Sequence, residues 1–506
     1  MKNAYNNKIV ASVVALFVVI GLVLITSLFY QTGSIPGLNA NVKLKERNLQ
    51  RAYIEKHTIE GSIVDRSAYN ITKASKPGTP ALVSHDEAYA YIVGINSPVY
   101  GKTGLRKQFK DYLFNGGKDD KGATLQLTLD SALQEFSYEL LGKQEGSIIV
   151  INANSGEILA LASRADKELG FNVNDITKEK YDVYNTHKAF FFNRATMTQD
   201  PPGSTFKIVT AASMLANKMD KFVYDDTGEL EVNGYKINNY KKKKYGNTDL
   251  QAALNNSLNT YFGAAGIELG TRALTNTAEK FMFNKSIELD FCTLNSTFSL
   301  KGSNDMKGVS QIAFGQGTLK TSPLHLTMVM QAVVNDGAML KPFLIDNLTN
   351  DGKVVREGKT ETLSKVMNKS DAKQLKKLLH NTAECYGFDE ENYGYVIAKT
   401  GTAETSNKNF LHKYLLMGVE VNGNTYAICI DNANIANSNH SLNQTGAKLL
   451  KYLSTYHLNE VKEADVQVET AKDNTNTDLI AVLAGAVIVL LIINIIVDKR
   501  KKKNSK

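Results

Sequence analysis

Three short patterns in this chain combine residue types that could carry out acyl transfer: Ser204-Thr205-Phe206-Lys207, Ser257-Leu258-Asn259 and Lys399-Thr400-Gly401-Thr402. A serine hydroxyl is inert at neutral pH and becomes a nucleophile only beside a base. Lys207 follows Ser204 by one helical turn on the same face. It can act as that base only as a neutral amine, so burial and a nearby cation, Lys399, must lower its pKa. Each pattern alone recurs by chance in a chain of 506 residues. Ser370-Asp371-Ala372-Lys373 also fits the first, Ser441-Leu442-Asn443 the second and Lys102-Thr103-Gly104 the third. Each residue has an ordinary reading as well: Ser204 a helix cap, Ser257 a cap or turn, Asn259 a turn residue, Lys399 a lysine at a strand end.

Local context separates the sets. Ser204 follows Pro201-Pro202-Gly203, a chain stop and tight turn. The run from Phe206 to Leu215 is apolar on every side and predicts a buried helix. Ser204 therefore opens a helix, where unpaired N–H groups and the dipole favour a developing anion. Ser370 opens a Lys- and Leu-rich surface helix with no strand and turn before it. Lys399 ends an apolar strand, Tyr395-Val396-Ile397-Ala398, whereas Lys102 lies in a Gly-bracketed loop. Only the first set runs in order within one region.

The elements that position these residues read as α+β. Ser147 to Ile151 and Glu157 to Ala162 form one hairpin around Asn152 to Gly156. Lys413 to Glu420 and Thr425 to Asp431 form a second around Val421-Asn422-Gly423-Asn424. The spacing of Leu449, Tyr452, Leu453 and Tyr456 predicts an amphipathic helix after it. One sheet built from both ends of residues 146–456, with helices between, is the expected architecture. Residues 31–145 form a first region with a helix-prone stretch, Asn41 to Glu55. Strand-like pieces at Tyr89 to Ile95 and Thr124 to Leu129 follow, with a loop at Lys76 to Pro80. Asp130 to Leu141 has helical spacing and joins the two regions.

Two apolar runs frame these regions. Ile9 to Tyr30 is 22 residues without a charge, about 33 Å as a helix, enough to cross a bilayer. A secretory signal would be shorter and end in small residues, whereas this run ends in Leu28-Phe29-Tyr30. Leu479 to Val497 is a second span, interrupted only by Asn494. The expected division is a tail at 1–8, a span at 9–30, regions 31–145 and 146–456, a polar linker at 457–478, a span at 479–497 and a tail at 498–506. Six basic residues after the second span place that tail in the cytoplasm, and two spans put 1–8 on the same side.

The net charge of +8 invites a nucleic-acid reading that its distribution removes. Eight of the 59 basic residues lie in the two tails beside one acid, Asp498, so Gln31 to Asp478 carries 51 basic and 50 acidic side chains. Lys241 to Lys244 reads as a solvated loop. The eight His are scattered without ligand spacing, so no metal is expected, nor any cofactor. Cys429 reads as a core residue. Cys292 and Cys385 could pair, but their spacing does not suggest it.

Taken together, the three catalytic patterns resemble those of penicillin-binding proteins and serine β-lactamases. Further segments are similar to class B penicillin-binding proteins: Asn193-Arg194-Ala195, Gly315-Gln316-Gly317, Thr321-Ser322-Pro323-Leu324, Asn335-Asp336-Gly337 and Lys341-Pro342. Gly61-Ser62-Ile63-Val64-Asp65-Arg66 and Tyr100 to Leu105 resemble segments of the N-terminal pedestal of the short members. Glu60 stands where that family usually has arginine, and Ser67-Ala68 where it has asparagine–glycine. The second span has no counterpart in the usual single-anchor architecture. The resemblance implies a transpeptidase domain of antiparallel sheet and flanking helices, a pedestal, and a D,D-transpeptidase that cross-links peptidoglycan stem peptides and is trapped by β-lactams. It implies Ser204 as nucleophile, Lys207 as base, Ser257 as proton relay and Asn259 as holder of Lys207 and the substrate amide. Lys399 with Thr400, Gly401 and Thr402 would bind the terminal carboxylate, with the N–H groups of Ser204 and Thr402 as oxyanion hole. A SEDS-family glycan polymerase is the implied membrane partner. Two readings compete: a β-lactam hydrolase or sensor of the same fold, and a scaffold that activates a partner polymerase. Asn259 and the pedestal argue against the first, and an intact set of catalytic residues against the second.

Overall fold

The structure is a computed structural model. It describes residues 40–456 apart from 74, 167–168, 187–190, 303, 405–409 and 437–440, together with Phe17, Ile20 and Gly21. The two expected spans otherwise lie outside the described residues, as do both tails and the linker 457–478. No helix among the described residues is long and apolar enough to cross a membrane.

The first region starts with the helix Ala40–His57 and continues in short elements. The stretch expected as a strand at Tyr89 to Ile95 is instead mostly helix, Asp86–Val93. Its β-branched composition suggested a strand, but two features favour the helix. Asp86 and Glu87 occupy the first turn, where acids complement the dipole. Tyr89, Ile92 and Val93 then bury one face at i, i+3 and i+4. The strand Thr124–Leu127 forms near its expected place and pairs in parallel with Ile63–Val64. Its other edge pairs antiparallel with Ile345–Asn350, which pairs in turn with Lys353–Glu357. This four-stranded sheet thus joins segments more than 200 positions apart in sequence.

Glu60 is 2% exposed, and its carboxylate accepts from Arg106 Nε at 2.7 Å, Ala81 N at 2.8 Å and Asn96 Nδ2 at 3.2 Å. The acid at this unusual position therefore has a complete set of buried donors, as a buried charge requires. Asp65 accepts from Ser67 N and Tyr69 N, closing the turn that contains Ser67-Ala68, and from Ser131 N at the start of the next helix.

That helix, α1 (Ser131–Leu141), is capped by Asp130. It leads into five antiparallel strands: β1 (Gly146–Asn152), β2 (Ile158–Arg164), β3 (Val396–Glu404), β4 (Leu411–Val421) and β5 (Asn424–Ile435). Their spatial order is β3-β4-β5-β1-β2, so the two ends of the region meet at the β5–β1 pair. Asn422 and Gly423, both at positive φ (50° and 75°), make the tight β4–β5 turn. Helix α1 and the last helix, α6 (Asn443–Thr455), cover one face, with Leu133, Ile148, Ala398 and Leu449 in one core. The other face packs against α4 (Pro323–Val334) and α5 (Lys369–Cys385), with α2 (Lys207–Ala216) and α3 (Asn259–Lys280) in the same core. Strand alternation puts Lys399 on the same face as Ile397, toward α2. All three cysteines are unpaired: Cys429 is buried in β5, and Cys292 and Cys385 are exposed.

Candidate active site

A tight 3₁₀ turn, Gly203–Phe206, carries Ser204 into α2. Gly203 has φ of 55°, and a side chain there would strike the Thr402 carbonyl on β3. Gly203 N also donates to Gly315 O at 3.0 Å. Glycine at 203 therefore lets the serine turn lie backbone against backbone on the Lys399–Thr402 strand and on the Gly315–Gly317 loop. Ser204 itself is half-buried.

Lys207, the first residue of α2, is fully buried. Its Nζ lies 2.9 Å from Ser204 Oγ, 2.7 Å from Ser257 O, 2.8 Å from Asn259 Oδ1 and 3.3 Å from Ser257 Oγ. Ser257 sits between the helix Leu250–Asn255 and α3, in the left-handed region at φ 53°. Through that turn both its carbonyl and its hydroxyl reach Lys207. Asn259 is fixed from behind: its Nδ2 donates to Asn238 O at 3.1 Å.

These contacts define the protonation geometry. Burial first, and the Lys399 cation second, push Lys207 well below the usual lysine range. A neutral amine has two hydrogens and one lone pair. The Ser257 carbonyl and Asn259 Oδ1 are acceptors only, so they take both hydrogens. The lone pair is left for a hydroxyl donor, and Ser204 is the nearer one. The arrangement can thus draw the proton from Ser204.

Lys399 is also fully buried. Its ammonium donates to Tyr386 Oη at 2.7 Å, Ser257 Oγ at 3.1 Å and Thr400 O at 3.2 Å. Ser257 Oγ therefore lies between the two lysines. Thr400 is half-buried, Gly401 buried and Thr402 exposed, on the edge strand of the sheet. A side chain at 401 would press on Pro202 O and Thr205. The eight residues singled out in sequence are thus brought to one place. Ser370 lies on α5, Lys102 pairs with Glu55 at 2.9 Å, and Asn443 opens α6. Tyr386 was not singled out. It belongs to no pattern, and only the pairing of β3 with the end of α5 brings it to Lys399.

Behind the serine turn lies a buried polar cluster. Arg194 approaches His412 Nε2 at 3.1 Å, and His412 Nδ1 lies 3.5 Å from Asp200, four residues before Ser204. Burial holds His412 down to about 4 and Asp431 up to about 7. Among the described residues no group of three or more His, Cys, Asp or Glu could hold a metal ion.

Residues 146–451 match the family model of the penicillin binding protein transpeptidase domain. The chain is 24% identical over 482 residues to peptidoglycan D,D-transpeptidase MrdA of Haemophilus influenzae, covering 84% of this chain and 73% of that protein. It is 24% identical over 379 residues to peptidoglycan D,D-transpeptidase PbpA of Mycolicibacterium smegmatis, 68% of this chain and 75% of that protein. Among solved structures, penicillin-binding protein A of M. tuberculosis, as a penicillin G acyl-enzyme complex, superposes with a TM-score of 0.70 at 20% identity, covering 79% of this chain and all of that one. With the family model matching more than half of its length, this chain belongs to the penicillin-binding protein transpeptidase family, among the class B penicillin-binding proteins.

Proposed function

We propose that this protein is a membrane-anchored D,D-transpeptidase that cross-links peptidoglycan stem peptides through a serine acyl-enzyme. The observation that carries the reading is the Lys207 amine, buried 2.9 Å from Ser204 Oγ with both of its hydrogens committed elsewhere. Ser204 Oγ attacks the carbonyl of the penultimate D-alanine as its proton passes to Lys207. The oxyanion is held by the N–H groups of Ser204 and Thr402, each worth roughly 3–4 kcal/mol in comparable sites. Collapse breaks the peptide bond, and the leaving D-alanine amine takes its proton through Ser257. Thr400 and Thr402 receive the donor's terminal carboxylate, with the charge of Lys399 held beside them. Gly401 keeps that strand close to the serine turn, and Asn259 binds the substrate amide. An amine from a neighbouring stem peptide then attacks the ester and gives its proton back through Lys207, which frees Ser204. β-Lactams mimic the donor and stop at the ester.

The spans at 9–30 and 479–497 anchor the chain, with residues 1–8 and 498–506 cytoplasmic. The pedestal at 31–145 and the transpeptidase region at 146–456 lie outside the membrane, with 457–478 as linker. A SEDS-family glycan polymerase is the proposed partner of the pedestal and spans. Nitrocefin tests the enzymatic reading: one equivalent opened per protein, followed by slow release, is expected. Rapid multiple turnover would assign the site to a hydrolase instead.

A further inference from the structure

We infer that Tyr386 is a positioning residue for acyl transfer, its hydroxyl holding the Lys399 ammonium against Ser257. An ammonium has three hydrogens, and Lys399 spends all three inside the protein, on Tyr386 Oη, Ser257 Oγ and Thr400 O. The Tyr386 contact is the shortest of them at 2.7 Å. Lys399 is fully buried, so loss of that acceptor leaves one of its N–H groups without its protein partner. The side chain must then shift, and Ser257 Oγ is the partner it shifts from.

Tyr386 is itself well fixed. It caps α5, with its N–H donating to Ala383 O at 2.9 Å. Its carbonyl accepts from Asn443 Nδ2 at 2.9 Å, so the first residue of α6 braces it. Two residues on, buried Phe388 donates from its N–H to Ala383 O and anchors the turn in the core. A chain of contacts therefore runs from α6 through Tyr386 and Lys399 to Ser257. The inference rests on Ser257 acting as proton relay, as proposed above.

The test is a double-mutant cycle on the full chain in isolated membranes, with a fluorescent penicillin at several concentrations. Tyr386→Phe keeps the ring and removes only the hydroxyl. It is expected to slow the first-order acylation step roughly 10- to 100-fold, the worth of a hydrogen bond to a charged group. The half-saturating penicillin concentration should change little. In a Ser257→Ala background the same substitution should slow acylation by no more than about two-fold, since the group being positioned is gone. Equal losses in both backgrounds, or no loss from Tyr386→Phe alone, overturn the inference. A Ser257→Ala variant that acylates at the wild-type rate removes the relay itself, and the inference falls with it.

Discussion

Replacing Asn259 with aspartate changes one atom and reverses the electrostatics of the base. Asn259 Oδ1 lies 2.8 Å from Lys207 Nζ. A carboxylate at that distance attracts an ammonium by about 6 kcal/mol at an effective dielectric near 20. Desolvation of the new carboxylate in a half-buried site takes back much of this. If only about 2 kcal/mol survives, the neutral fraction of Lys207 falls roughly 30-fold. Burial and Lys399 depress the Lys207 pKa, and the new anion opposes both. The acid limb of the acylation profile should therefore move to higher pH, and much of the lost rate should return on the alkaline side. Loss of the Nδ2 donor to Asn238 O adds a reduction that does not depend on pH. The assay is the second-order rate constant for acylation by a fluorescent penicillin, from about pH 5 to 10. A uniformly lowered profile of wild-type shape would refute the assignment of Lys207 as the base.

The two lysines should also part company on replacement by arginine. Lys207→Arg, charged at any usable pH, is expected to abolish acylation, whereas Lys399→Arg should keep a measurable fraction because it still presents a cation to the carboxylate. Equal rates in the two variants would send the search for a base to Ser257. A further prediction concerns stability. Burial holds Asp431 protonated up to about pH 7 in the folded protein, against a usual value of 3.8, with the Arg194 cation and the Ser147 hydroxyl opposing and Asp200 reinforcing the rise. The folded state therefore binds more protons between about pH 4 and 7, and stability falls as pH rises through that window. Asp431→Asn should melt like the wild type near pH 4 and be more stable at pH 8, by on the order of 2 kcal/mol. A difference of the same size at both pH values would count against the buried neutral acid.

What the sequence made legible follows from which interactions are local. The Pro-Pro-Gly turn, the apolar run after Ser204 and the Asn-Gly turn between β4 and β5 are neighbour effects, and each appears where its residues stand. The apolar run at Val396 to Ala398 marks the start of β3, but the strand continues past Lys399 to Glu404, where an edge strand of mixed polarity carries no apolar signal. Tyr89 to Ile95 misled because β-branched composition says little when acids open the segment and one face is buried at helical spacing. The pairing of Thr124–Leu127 with Ile345–Asn350 joins positions too far apart for any periodicity to report. The same holds for the Glu60–Arg106 ion pair and for Tyr386 on Lys399. The left-handed Ser257, which lets one residue offer both its carbonyl and its hydroxyl to Lys207, carries no mark in a Ser-Leu-Asn string.

Ser204, and no other serine, should carry the acyl group. Peptide mapping by mass spectrometry of the full-length protein after labelled penicillin treatment tests it most directly. One equivalent of label is expected on the peptide containing Ser204, and none in the Ser204→Ala variant. Label on Ser257 or Ser370 in the wild-type protein, or undiminished labelling of Ser204→Ala, would contradict it.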